Sequence, residues 1–145
     1  MLAWQFAGYS QVFHTTFLTF LFSISSMTSN ALAKHLFLTY ERNRLGHLTP
    51  RNCKHDRIFA ELFELTVKSN RQMAMEELGS SIEGRSINMI TIGTGHKRIL
   101  LWSQMHGDES TATLALMDIF NCFVDKGADE KWIAEMLNAV TLHFI

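Results

Sequence analysis

The sequence predicts an α/β fold, a β-sheet flanked by helices. Three observations predict it. Segments with apolar residues at helical spacing alternate with short Ile-, Thr- and Leu-rich runs. Glycine-containing turns separate them at residues 79–84 and 93–95. Residues 98–103 (RILLWS) form a run apolar on both faces, as a central strand covered on both sides requires.

Composition bounds the function. The chain has 145 residues, which suits one domain or part of a larger one. It is 47% hydrophobic and 11% aromatic, which excludes a disordered chain. A net charge of -1 excludes a dedicated nucleic-acid binder. Two cysteines, Cys53 and Cys122, are too few for a disulfide scaffold or a four-cysteine zinc site.

All 13 basic and 14 acidic residues fall after Ala33, so the chain reads as two parts, 1–33 and 34–145. Residues 12–24 (VFHTTFLTFLFSI) are apolar but short for a stable membrane span, which needs about 20 residues. They match the core of a signal peptide, and Ala31-Leu32-Ala33 has the small-x-small form of a cleavage site. The segment before that core carries no basic residue, unlike most signal peptides. Met27 offers a second reading, as the true start behind an upstream extension. A membrane anchor is the third. The first reading implies secretion and the second a cytoplasmic protein.

The elements follow in order. Residues 33–45 carry a short helical stretch. Residues 42–57 are basic but lack the aromatics that stack bases, so they read as a solvated loop and helix start. Thr49-Pro50 has the form of an N-cap followed by the first helical position. Ile58, Phe59, Leu62, Phe63 and residues 65–67 recur at helical spacing, predicting a helix over 56–69 with its apolar side on the sheet. Residues 72–78 read as a strand with Met73, Met75 and Leu78 facing inward. Residues 79–84 turn the chain, and 85–92 (RSINMITI) form a clearer strand. Gly93-Thr94-Gly95 reads as a hairpin turn, making the strands on either side antiparallel neighbours. Residues 109–124 form a long helix, apolar nearly all round and stopped by Gly127. A shorter helix over 129–137 and a strand over 139–145 complete the chain.

The chemistry-bearing stretch is residues 99–113, ILLWSQMHGDESTAT. In open α/β sheets, sites form beyond the carboxyl ends of central strands. His106 and Glu109 lie there, at i, i+3 spacing that lets imidazole and carboxylate converge. Both are ligand types of catalytic zinc, which takes three protein ligands and a water. Taken bare, His-x-x-Glu is a weak motif that reads better as a histidine donating to a local acid, or as a helix start with Asp108 and Glu109 favourable to its dipole.

The flanking sequence adds to the zinc-ligand reading. Leu78-Gly79-x-Ser81-x-Glu83-Gly84-Arg85-x-Ile87, then Ile92-Gly93, the apolar strand, and His106-Gly107-Asp108-Glu109 leading into a helix occur in register. In that pattern residues 77–123 resemble the zinc carboxypeptidase family, above all bacterial-type members whose strand reads much like LLWSQMHG. The resemblance implies a mixed, mostly eight-stranded sheet flanked by helices, with this chain forming the N-terminal part of the catalytic domain. It implies zinc as cofactor, His106 and Glu109 as two of its ligands, and peptides as substrates losing their C-terminal residue. It also implies that a third histidine ligand, the carboxylate-binding residues and a glutamate general base lie beyond residue 145. The chain as given is then expected to be inactive.

Asp108 departs from peptide-cleaving digestive members, which commonly have Arg there; it is a candidate for substrate contact or for supporting a ligand. A deacylase or amidase on the same scaffold, with Asp or Asn inside the motif, is one alternative. A non-catalytic binding module is the other. His143, within the last strand, and His96, at the far end of the central strand, are rejected as third ligand. Arg85 suits a structural salt bridge. Gly93-x-Gly95 with Lys97 lacks phosphate-loop spacing. Cys122 and Trp102 read as core.

Overall fold

A computed structural model describes residues 29–125 and 130–145. The apolar stretch 12–24, Met27 and Gly127 lie outside the described residues. The chain divides into two compact units, 1–40 and 41–145. Helix α1 (Ser29–Asn43) begins four residues before the predicted stretch and contains Ala31-Leu32-Ala33. Among the described residues, no helix is long and apolar enough to cross a membrane.

In the second unit, the basic stretch is a loop and helix start, as predicted. Pro50 does not open the helix. Asn52 closes a local turn instead: its N–H donates to Thr49 O at 3.0 Å, and its Oδ1 accepts from Thr49 N–H at 2.6 Å. Helix α2 (His55–Lys68) follows, with Asp56 in its first turn and Lys68 in its last, both favourable to the helix dipole. Ile58, Leu62 and Leu65 turn toward the core. Phe63 and Val67 face solvent, so the apolar side is narrower than the sequence predicts.

Strands β1 (Met73–Ser80) and β2 (Ser86–Ile92) form an antiparallel hairpin. Its turn places Gly84 at φ +72°, a left-handed backbone that glycine enters without strain. Glu83 and Arg85 form an ion pair across it, the structural role predicted for Arg85. The register shifts between Glu77 and Gly79, leaving Leu78 as the extra residue of a bulge. Leu78 is therefore exposed, whereas Met73 and Met75 face inward as predicted.

The chain continues through β3 (Lys97–Leu101), α3 (Ser110–Asp125), α4 (Glu130–Ala139) and β4 (Val140–Phe144). The sheet is mixed, in the order β1-β2-β4-β3. β4 pairs antiparallel with β2 and parallel with β3. This corrects the expected β2–β3 hairpin. Gly93-Thr94-Gly95 is instead a bridge over the start of β4. Thr94 N–H donates to Leu137 O at 2.8 Å and Gly95 N–H to Val140 O at 3.3 Å. A Cβ at Gly95 would overlap the Ala139–Val140 backbone. The glycines let two chain segments cross at contact distance, which a spacing argument reads as a tight turn.

The register puts Met73, Met75, Ile90, Ile92, Leu142 and Phe144 on one face of the sheet. α3 covers that face, with Phe120 edge-on to Phe144 at 4.8 Å between ring centroids. Met117, Phe123, Ile133 and Leu137 complete the core. Cys122 is buried with them, as predicted. β3 is an edge strand among the described residues, not the covered central strand predicted. Ile99 and Leu100 are 43% and 55% exposed.

Candidate functional site

β3 delivers the site. Its ladder with β4 runs on past Leu101. Ile145 N–H donates to Leu101 O at 3.0 Å, and Ser103 N–H to Ile145 O at 3.0 Å. The Ser103 hydroxyl meets that of buried Thr113, on α3, at 3.0 Å. The strand is thus held in line as far as Ser103. Gln104 then takes φ +51°, a left-handed backbone uncommon for a residue with a Cβ. The chain swings out of the sheet there.

His106 to Glu109 form a turn closed by Glu109 N–H donating to His106 O at 3.1 Å. Such a turn brings its first and fourth residues together. His106 Nδ1 lies 3.3 Å from Glu109 Oε1. The i, i+3 convergence is therefore made by a turn, with α3 starting one residue later, at Ser110. Nothing in the turn obstructs a bend at Gly107, where a Cβ would meet open space. The two side chains are 69% and 65% exposed, so an incoming ion or ligand reaches them from solvent. Asp108, third in the turn, is also exposed. The arrangement offers one imidazole nitrogen and one carboxylate oxygen, both zinc-ligand types, at one point on the surface. Among the described residues, no group of three or more His, Cys, Asp or Glu could hold a metal ion.

The other candidates sit elsewhere. His143 lies in β4, its Nδ1 3.0 Å from Thr91 Oγ1. His96 precedes β3, at the end opposite the turn. Trp102, expected in the core, is 58% exposed, because β3 is an edge strand and lacks a covering layer there.

A cavity of about 920 Å³ adjoins the turn, lined by Gly107 of the turn and by Ser103 and Gln104 just before it. Its interior is apolar, lined by Leu62, Ile90, Met117, Phe120 and Phe144. His55 stands at its polar side, Nε2 2.9 Å from Ser86 O. Cys53 also lines it, and burial pushes its thiol pKa up. Both cysteines are free. Sequence reasoning missed Gln104 and the Ser103–Thr113 contact. Gln104 carries no signal for a left-handed backbone, which glycine or asparagine would have given.

Residues 58–145 match the sequence profile of the zinc carboxypeptidase family. No curated protein matches the chain by sequence. Among solved structures, the chain is similar to a metallo-carboxypeptidase from Burkholderia cenocepacia, at 25% identity and a TM-score of 0.54 over 62% of this chain. It is also similar to a putative carboxypeptidase A from Shewanella denitrificans, at 17% identity and a TM-score of 0.49 over 60% of this chain. It spans only 25% and 24% of those two chains. The profile match covers more than half of the sequence and includes the hairpin, the bridge over β4 and the His106–Glu109 turn. On that match, the chain belongs to the zinc carboxypeptidase family.

Proposed function

We propose that the chain contributes to the site of a zinc-dependent hydrolase that removes C-terminal residues from peptides, with His106 and Glu109 as two of the metal's ligands. The observation that carries the reading is their convergence, 3.3 Å apart, on an exposed turn at the carboxyl end of a sheet strand. Zinc bound there supplies polarisation of a carbonyl and lowers the pKa of water. His106 contributes a neutral ring nitrogen and Glu109 an ionised carboxylate, the forms that metal binding requires. The Ser103–Thr113 contact and the β4 ladder hold the strand end on which the turn is carried.

Two protein ligands hold zinc weakly compared with the three of a catalytic site. The 145-residue chain alone is therefore expected to bind zinc weakly and to leave blocked dipeptides uncleaved. Equilibrium dialysis against zinc tests the ligand assignment. At saturating metal the unaltered chain should bind one zinc more than the His106→Ala/Glu109→Gln double variant. Equal binding by both would remove these residues from the metal site.

Asp108 favours a second reading, amide or acyl hydrolysis on substrates without a nearby carboxylate. Its own carboxylate sits in the turn, exposed between Gly107 and Glu109, and like charges repel. Hydrolysis of N-acylated neutral amides but not of blocked dipeptides, by any active form containing this chain, would select it.

A further inference from the structure

We propose that Gln104 is a positioning residue that holds the His106–Glu109 turn in its ligand-gathering shape. The proposal rests on the metal-holding role given above to that pair.

Two features of Gln104 point the same way. Its backbone is left-handed, φ +51°, at the place where the chain leaves the sheet. Its side-chain amide reaches forward, Nε2 donating to Gly107 O at 3.4 Å. Gly107 is the second residue of the turn whose ends are His106 and Glu109. The turn is thus tied to the strand end by the side chain of the residue that forms the hinge.

The hinge works against a fixed base. Ser103, just before it, is held by its N–H to Ile145 O and by its hydroxyl to Thr113. On the far side, the turn runs directly into α3 at Ser110. Between these anchors only residues 104–109 are left to set where the two donor atoms point. Glycine enters a left-handed backbone without strain. A glutamine in that conformation carries a backbone cost that glycine avoids, and in return it supplies a donor to the Gly107 carbonyl. Residues held in sparsely populated backbone regions cluster where function needs a fixed geometry. Supporting groups around metal ligands act by orienting them.

Two variants separate the amide from the backbone. Gln104→Gly keeps the left-handed path and removes the amide. Gln104→Met keeps the side-chain length and removes the donor. Zinc is titrated into each purified chain and followed at the His106 ring signal by NMR, which isolates this histidine from the other six. The metal-free thermal midpoint is measured in parallel. The expected result is a zinc midpoint at His106 raised about tenfold in both variants, reversed by a chelator, with the thermal midpoint of Gln104→Gly no lower than that of the unaltered chain. A role limited to fold stability would move the thermal midpoint and leave the zinc midpoint in place. A zinc midpoint within twofold of the unaltered chain in either variant overturns the proposal. If the His106 signal of the unaltered chain does not respond to zinc, the metal reading itself fails, and the positioning role fails with it.

Discussion

At the residue scale, Gly95 and Gly107 make a controlled pair. Both flank β3 in sequence, and both look alike as turn glycines. Their surroundings differ. A Cβ at Gly95 would occupy the space of the Ala139–Val140 backbone, which cannot move aside as a flexible side chain can. Thr141 Oγ1 also donates to Gly95 O at 2.7 Å, so the crossing is fixed from both strands. A Cβ at Gly107 would meet nothing within 4 Å. Overpacking at a rigid contact costs about 1–3 kcal/mol or more, whereas surface changes stay within about 0.5 kcal/mol. Urea unfolding should therefore show Gly95→Ala losing at least about 2 kcal/mol and Gly107→Ala close to neutral. Equal losses would mean that the crossing over β4 is not as tight as described. The sequence carried the existence of both glycines but not this distinction. A close approach involves a partner some 45 residues away, and spacing along the chain contains no term for it.

At the element scale, what was legible is what is local. α2, α3 and the β1–β2 hairpin follow from apolar periodicity and turn residues within a few positions of each other. Strand pairing is not local. The short Gly-x-Gly link fits a hairpin, yet β4 inserts between β2 and β3 after two helices. The apolar run of β3 fits a covered strand, yet among the described residues its outer edge is unpaired. Ile99 and Leu100 stand on opposite faces of that edge, both well exposed. An apolar strand edge with unpaired N–H and C=O groups is a template for further pairing. A protein of these 145 residues should accordingly self-associate, and Leu100→Lys should reverse this by placing a charge on the edge. Sedimentation velocity at micromolar concentration checks it. A monomeric unaltered chain would refute the edge argument, and so would association that Leu100→Lys leaves unchanged.

At the scale of the whole molecule, fold and site are held by different means. The fold rests on one apolar layer between sheet and helices, centred on Leu65, Ile92, Met117 and Ile133, each 1% exposed or less. The His106–Glu109 turn lies outside that layer, its two side chains 69% and 65% exposed. The pair was legible in the sequence because its flanking pattern is long and ordered. Its convergence through a turn was not, because i, i+3 spacing serves a helix face and a turn equally. This separation predicts how metal and stability are linked. A ligand that binds only the folded state stabilises it by RT ln(1 + [L]/Kd), about 0.4 kcal/mol at a concentration equal to Kd. In a domain of this size that is about 1–2 °C. A two-ligand site is weak, so zinc near its own Kd should raise the thermal midpoint by no more than about 3 °C, and a chelator should remove that gain without unfolding the chain. Differential scanning calorimetry with and without zinc reads it directly. A loss of about 8 °C or more on chelation would mean that a third protein group completes the site and that metal and core are coupled, contrary to the separation argued from exposure.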